Sequence, residues 1–158
     1  MTFRPSAAAA LLSMLAFGVP SSASAQIPDD AVPLPTVQSE LNTFRAEYAE
    51  YYNKKDAKSL AGLYAPDAII TEADGTTYSG QAAILAAFTK LAPTFPHLVI
   101  TSENVISFGA TGIDVGTAKQ HPASGGELTS RYLVVLRRKM GVWTIVRLSV
   151  VPVAPKKS

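Results

Sequence analysis

Asp56-Ala57-Lys58-Ser59-Leu60-Ala61-Gly62-Leu63-Tyr64-Ala65-Pro66-Asp67-Ala68-Ile69-Ile70-Thr71-Glu72-Ala73-Asp74-Gly75 is the stretch in which the chain changes period. In its first half Leu60, Leu63 and Tyr64 fall on one side of a short helix, which Asp56 is placed to cap and Pro66 to end. In its second half the period drops to two, so that Ala68, Ile70 and Glu72 share one face of a strand. Asp74-Gly75 then signals a turn before a short return strand over Thr76–Tyr78. A helix feeding directly into a hairpin points to an α+β domain.

Working outward from this stretch strengthens that reading. Upstream, Thr36 is placed to cap a helix in which Val37, Leu41, Phe44, Tyr48 and Tyr51 recur at steps of three and four, with Gln38, Asn42, Arg45, Glu50 and Lys54 off that stripe. Downstream, Ser79 or Gly80 opens a third helix with Ile84, Ala87, Phe88 and Leu91 on one side, stopped by Pro93 and Pro96. Four strand-like segments follow, 98–108, 113–120, 128–137 and 142–151, rich in Val, Ile, Thr and aromatics and joined by short turns. The order predicts three helices packed on one face of a curved antiparallel sheet.

The ends of the chain read differently. Arg4, the apolar run from Ala7 to Val19 and the small residues Ala23-Ser24-Ala25 have the layout of a secretory signal, with cleavage expected after Ala25. That run is too short for the roughly 20 residues of a membrane-spanning helix, so no membrane association is expected. The divisions are therefore 1–25 as signal peptide, 26–35 as a proline-rich extended leader, 36–151 as one domain and 152–158 as a tail, with the product periplasmic or secreted. Without Arg4 the balance is 13 basic against 12 acidic residues, which gives no field for nucleic acid. Arg137-Arg138-Lys139 reads as a solvated hairpin turn.

The 158-residue chain has no cysteine, which excludes disulfides, thiolate chemistry and Cys-ligated zinc. His97 and His121, both beside prolines, are expected in connections and lack metal-ligand spacing, so no metal is expected. No G-x-S-x-G elbow, phosphate loop or dinucleotide fingerprint appears.

Three pieces in order resemble a known family: Tyr48-x4-Asn53-x2-Asp56-x3-Leu60-x2-Leu63-Tyr64-Ala65-Pro66-Asp67-Ala68, then Gly80-x3-Ile84-x3-Phe88, then Gly141-Val142-Trp143-Thr144-Ile145-Val146. Together they are similar to the SnoaL-like and ketosteroid-isomerase-like branch of the nuclear-transport-factor-2-like superfamily. The resemblance implies a cone whose sheet curls around an apolar pocket closed by the helices, and a homodimer formed through the sheet. It implies no single reaction, because the fold hosts isomerases, cyclases, dehydratases and binding modules.

Aligned on these motifs, the isomerase oxyanion-donor position falls on Tyr48 and the base position on Glu72. Proton abstraction beside a carbonyl needs such a base and donor. A third isomerase role, an acid on a later strand, has no candidate from Leu128 to Leu136, where Arg131, Tyr132 and Leu133 stand instead. The plainer reading makes Tyr48 a core-edge aromatic and Glu72 a strand-end residue beside a turn. Tyr52, Ile70, Phe88, Trp143 and Arg147 are the expected ligand contacts. For Arg147 two placements are open: inside the cone, meeting a ligand carboxylate or Glu72, or on the solvated or dimer-facing side. Two functions follow. One is a module holding a small apolar or aromatic ligand; the other is a cofactor-independent isomerase, cyclase or dehydratase using Tyr48 and Glu72.

Overall fold

The computed structural model describes residues 34–153. The expected signal, most of the leader and most of the tail lie outside the described residues. The elements are α1 (Leu34–Asn53), α2 (Ala57–Gly62), β1 (Tyr64–Thr71), β2 (Thr77–Ser79), α3 (Gln81–Leu91), a 3-10 turn (Ala92–Thr94), β3 (His97–Phe108), β4 (Thr111–His121), β5 (Leu128–Lys139) and β6 (Val142–Pro152). They form the expected α+β arrangement, a six-stranded curved sheet in the order β2-β1-β6-β5-β4-β3 with three helices across it. Every pairing is antiparallel except that of β1 with β6.

The local signals explain most of the boundaries, and two need correcting. Helix α1 begins at Leu34, ahead of the expected Thr36 cap, with Pro35 in the first turn, where its missing N–H would have had no helical partner. Asp56 does cap α2, accepting 3.0 Å from the Ser59 amide and 2.7 Å from its hydroxyl. Pro66, however, does not end that helix. The helix stops at Gly62, and Pro66 lies inside β1 where pairing with β6 is irregular between Tyr64 and Ile69, a place where a residue without an N–H leaves no ladder bond broken. Gly80, at φ +83°, makes the turn into α3 that a residue with a Cβ would adopt only under strain.

The core fills the concave side. Val37 and Leu41 from α1, Leu60 from α2, Ile70 from β1 and Ile84 from α3 are fully buried against Leu136 and Ile145 of the sheet. Each such side chain contributes about 2 kcal/mol by leaving water. At the far end of α1, the Asn53 side chain reads the backbone of β3, donating 3.0 Å to the Leu98 carbonyl and accepting 2.7 Å from its amide. This clamp sets where β3 starts relative to the last turn of α1.

Two bulges bend the sheet. On β3, Ser102 pairs with Gly116 and Asn104 with Val115, leaving Glu103 extra. On β6, Ile145 pairs with Leu136 and Arg147 with Val135, leaving Val146 extra. Inward of the second bulge are Trp143 and Ile145; beyond it the inward residues are Leu148 and Val150.

Candidate functional site

A cavity of about 480 Å³ opens where the end of α1 faces the β1–β2 hairpin. Helix α1 delivers Tyr48 and Tyr52 to it, one helical turn apart. The hairpin delivers Glu72 and Tyr78, α3 delivers Phe88, and the segment after the 3-10 turn delivers Phe95. The opposite wall is Leu148 and Val150 of β6, with Gln120 of β4 and Ser130 of β5.

The aromatic rings support one another. Tyr52 and Phe95 stack with centroids 4.2 Å apart and planes 4° from parallel, while Phe88 meets Phe95 edge-on at 6.0 Å and Tyr64 at 5.8 Å. Gln120 donates 2.9 Å to the Tyr52 hydroxyl, fixing the ring on the cavity wall. Burial, with a smaller push from the charge of Glu72, raises the Tyr52 pKa to about 12. Tyr48 and Tyr64 share a hydrogen bond of 3.0 Å between hydroxyls. Burial drives both far above the ordinary tyrosine value, so both stay protonated donors at neutral pH.

Glu72 is half-buried at the end of β1, held by backbone bonds from its own amide to the Thr76 carbonyl (2.8 Å) and from the Gly75 amide to its carbonyl (2.9 Å). Its carboxyl pKa is raised, first by burial and second by the charge on Asp74. Asp74 itself is lowered by hydrogen bonds from Thr76, and it stays ionised at the rim. The structure thus brings Tyr48, Tyr52, Phe88 and Glu72 to one cavity.

Deeper in the cone a second, apolar space of about 80 Å³ adjoins the first, with Tyr48, Leu148 and Val150 in the wall of both. Its polar floor was not foreseen. Asp114 on β4, 1% exposed, pairs with Arg45 of α1 and also accepts from the Ser102 hydroxyl at 2.6 Å and the Tyr132 hydroxyl at 3.3 Å. Arg45, read from the helical stripe as pointing away, turns its guanidinium inward. The available signal was Asp114 itself, a residue type depleted in strands, set between Ile113 and Val115. Gly116 makes room beside it, since a Cβ there would meet the Thr101 carbonyl oxygen at 2.0 Å and the Tyr132 hydroxyl at 2.8 Å.

Three expected contacts lie elsewhere. Ile70 is wholly buried in the core and lines neither space. Trp143 donates 2.6 Å from its indole to Glu40, which Arg138 also holds at 2.8 Å, at another hollow beside the β5–β6 turn. Arg147 is exposed on the outer face, donating to the Val146 and Asp67 carbonyls, because the extra residue Val146 inverts the alternation that otherwise would carry it inward with Trp143 and Ile145. The histidines are also misplaced by the sequence reading: His97 opens β3 and His121 closes β4, directly paired.

The chain matches the SnoaL-like domain model over residues 45–146, more than half its length. It belongs to the SnoaL-like domain family. Solved structures carry the same fold as this SnoaL-like domain. An NTF-2-like protein of unknown function from Shewanella oneidensis superimposes with a TM-score of 0.66 at 15% identity, covering 73% of this chain and 98% of that one. A domain of unknown function with a cystatin-like fold from Nostoc punctiforme gives 0.70 at 15% identity, covering 78% and 82%. A ketosteroid isomerase-like protein from Erwinia carotovora atroseptica gives 0.65 at 14% identity, covering 74% and 96%. No curated protein matches this chain by sequence.

Proposed function

We propose that this SnoaL-like domain is an exported small-molecule-binding protein that holds an aromatic or apolar ligand between the tyrosines of α1 and Leu148 and Val150 of β6. The observation that carries the reading is the 480 Å³ cavity, within the range of small-molecule sites, walled by stacked aromatic rings and bearing one half-buried carboxyl. Export is supported by the signal-like layout of residues 4–25. Assembly as a homodimer through the sheet is supported by Ile106, Leu133 and Val151, which are exposed on its outer face.

Ligand-observed NMR with a set of aromatic fragments tests the binding reading. Fragments bind the native protein, and Leu148→Trp, which fills the shared wall of both spaces, removes binding while circular dichroism stays unchanged. Failure of every fragment to bind, or equal binding to the variant, contradicts it.

A second reading is a cofactor-independent isomerase or lyase. It is favoured by the raised pKa of Glu72 and by Tyr48, a protonated donor, in the same cavity. Once a substrate is in hand, Glu72→Gln and Tyr48→Phe each abolish turnover with the fold intact. Unchanged turnover in both contradicts it.

A further inference from the structure

We propose that the ligand of this cavity is a cation, specifically an alkylated ammonium group carried on a small apolar or aromatic body, with Glu72 as its counter-charge. The inference rests on the small-molecule reading above and narrows it to one chemical class.

Charge is the first observation. Glu72 and Asp74 both line the cavity, and among the described residues no lysine, arginine or histidine does. Among the described residues, the other carboxylates that are at least half-buried each have an arginine: Glu40 has Arg138 and Asp114 has Arg45. Glu72 has no such partner among the described residues. Arg147, for which pairing with Glu72 was one of two open placements, is held on the opposite face of the sheet by the bulge at Val146. The described residues therefore give the site a net negative field and a carboxylate with no opposite charge beside it. A neutral apolar ligand would bury that carboxylate further with nothing in exchange, whereas a cationic one would pair with it.

The wall is the second observation, independent of the first. Tyr48, Tyr52, Tyr78, Phe88 and Phe95 surround the space, and the stacked Tyr52–Phe95 pair is itself braced edge-on by Phe88. Aromatic faces attract cations through their quadrupole, and a cage of such rings is the usual receptor for a methylated ammonium. An unsubstituted ammonium, strongly hydrated, must exchange three water bonds for acceptors on entering, and the ring faces that make up much of this wall offer it none. Gln120 donates its amide N–H to Tyr52, leaving its carbonyl oxygen as an acceptor, and the Tyr48 hydroxyl bonds Tyr64. An alkylated nitrogen asks only for one carboxylate and the ring faces.

The test compares two probes of equal shape, 3-hydroxyphenyl-trimethylammonium and 3-tert-butylphenol, by isothermal titration into the protein at neutral pH. The cation is expected to bind at least about tenfold more tightly. Glu72→Gln is expected to cut that preference several-fold, to what the ring faces alone supply, while leaving the neutral phenol bound, and Asp74→Asn, which keeps the turn acceptor, to reduce it by less. Binding of the neutral phenol as tightly as the cation overturns the proposal and leaves the small-molecule reading standing. A preference that Glu72→Gln leaves undiminished also overturns it. If neither probe binds, this inference and the reading beneath it both fail.

Discussion

Two acids in the same cone are treated in opposite ways. Asp114 sits at the closed end, almost without solvent contact, and receives Arg45, Ser102 and Tyr132. Glu72 sits at the open end, half-buried in a cavity walled by aromatic rings, with no base beside it among the described residues and with its pKa pushed up by burial and by Asp74. A buried carboxylate surrounded by donors is finished; it ties α1 to β3, β4 and β5 and has little left to offer a ligand. A carboxylate brought part-way out of water without partners is costly to the fold, and its remaining bonding capacity faces the cavity. The difference separates the supporting end of the domain from the binding end.

The largest expected effect breaks the closed end. Asp114→Ala leaves Arg45 charged, mostly buried and unpaired, and is expected to destabilise the domain by about 3 kcal/mol in urea unfolding. A loss under about 1 kcal/mol would mean that Arg45 escapes to water and that the pair does not hold the cone together. Next in size is Gly116→Ala. With a Cβ 2.0 Å from the Thr101 carbonyl, backbone must move at the β3 bulge, at an expected cost of about 2 kcal/mol by the same measurement. The α2 cap is smaller: Asp56→Ala is expected to cost about 1 kcal/mol, read as a lower midpoint at unchanged slope.

The open end behaves differently, and pH exposes it. Because the folded-state pKa of Glu72 lies above its unfolded value, the native state holds that proton more tightly, so ionising Glu72 weakens the fold. Its contribution is most favourable below the unfolded pKa and is lost as pH rises through the raised folded value. Urea unfolding of Glu72→Gln against the native protein across that window is expected to show the variant gaining relative stability as pH rises. A variant that loses relative stability over the same range would show that Glu72 has a favourable partner as an anion.

Much of the fold was legible in the sequence for local reasons. Asp56 and Ser59 are three residues apart, which is enough to specify a cap. The stripe through Val37, Leu41, Phe44 and Tyr48 specifies the buried face of α1, and that in turn places Tyr48 and Tyr52 where a curled sheet would enclose them. Glu72 was singled out by the family resemblance, and its phase with Ala68 and Ile70 carries just past the end of β1, so the strand face agrees with it. What the sequence hid depended on non-local geometry. A bulge adds one residue to one strand only in relation to its partner, so nothing in Trp143-Thr144-Ile145-Val146-Arg147 announces that the faces exchange at Val146. Arg45 lies off the apolar stripe and becomes an inward residue only because β4 presents Asp114 across from it. Pro66 looked like a helix stop because proline breaks helices more often than it enters strands. The irregular pairing of β1 with β6 is what admits it.

The most direct test of the contrast between the two acids is a pH titration of the Glu72 carboxyl followed by carbon-detected NMR in the ligand-free protein. The account predicts a midpoint above the ordinary glutamate value of about 4.3, set by burial beside the aromatic wall. A midpoint at or below that value would mean that Glu72 is solvated or already paired, and would contradict the assignment of this cavity as the binding end of the domain.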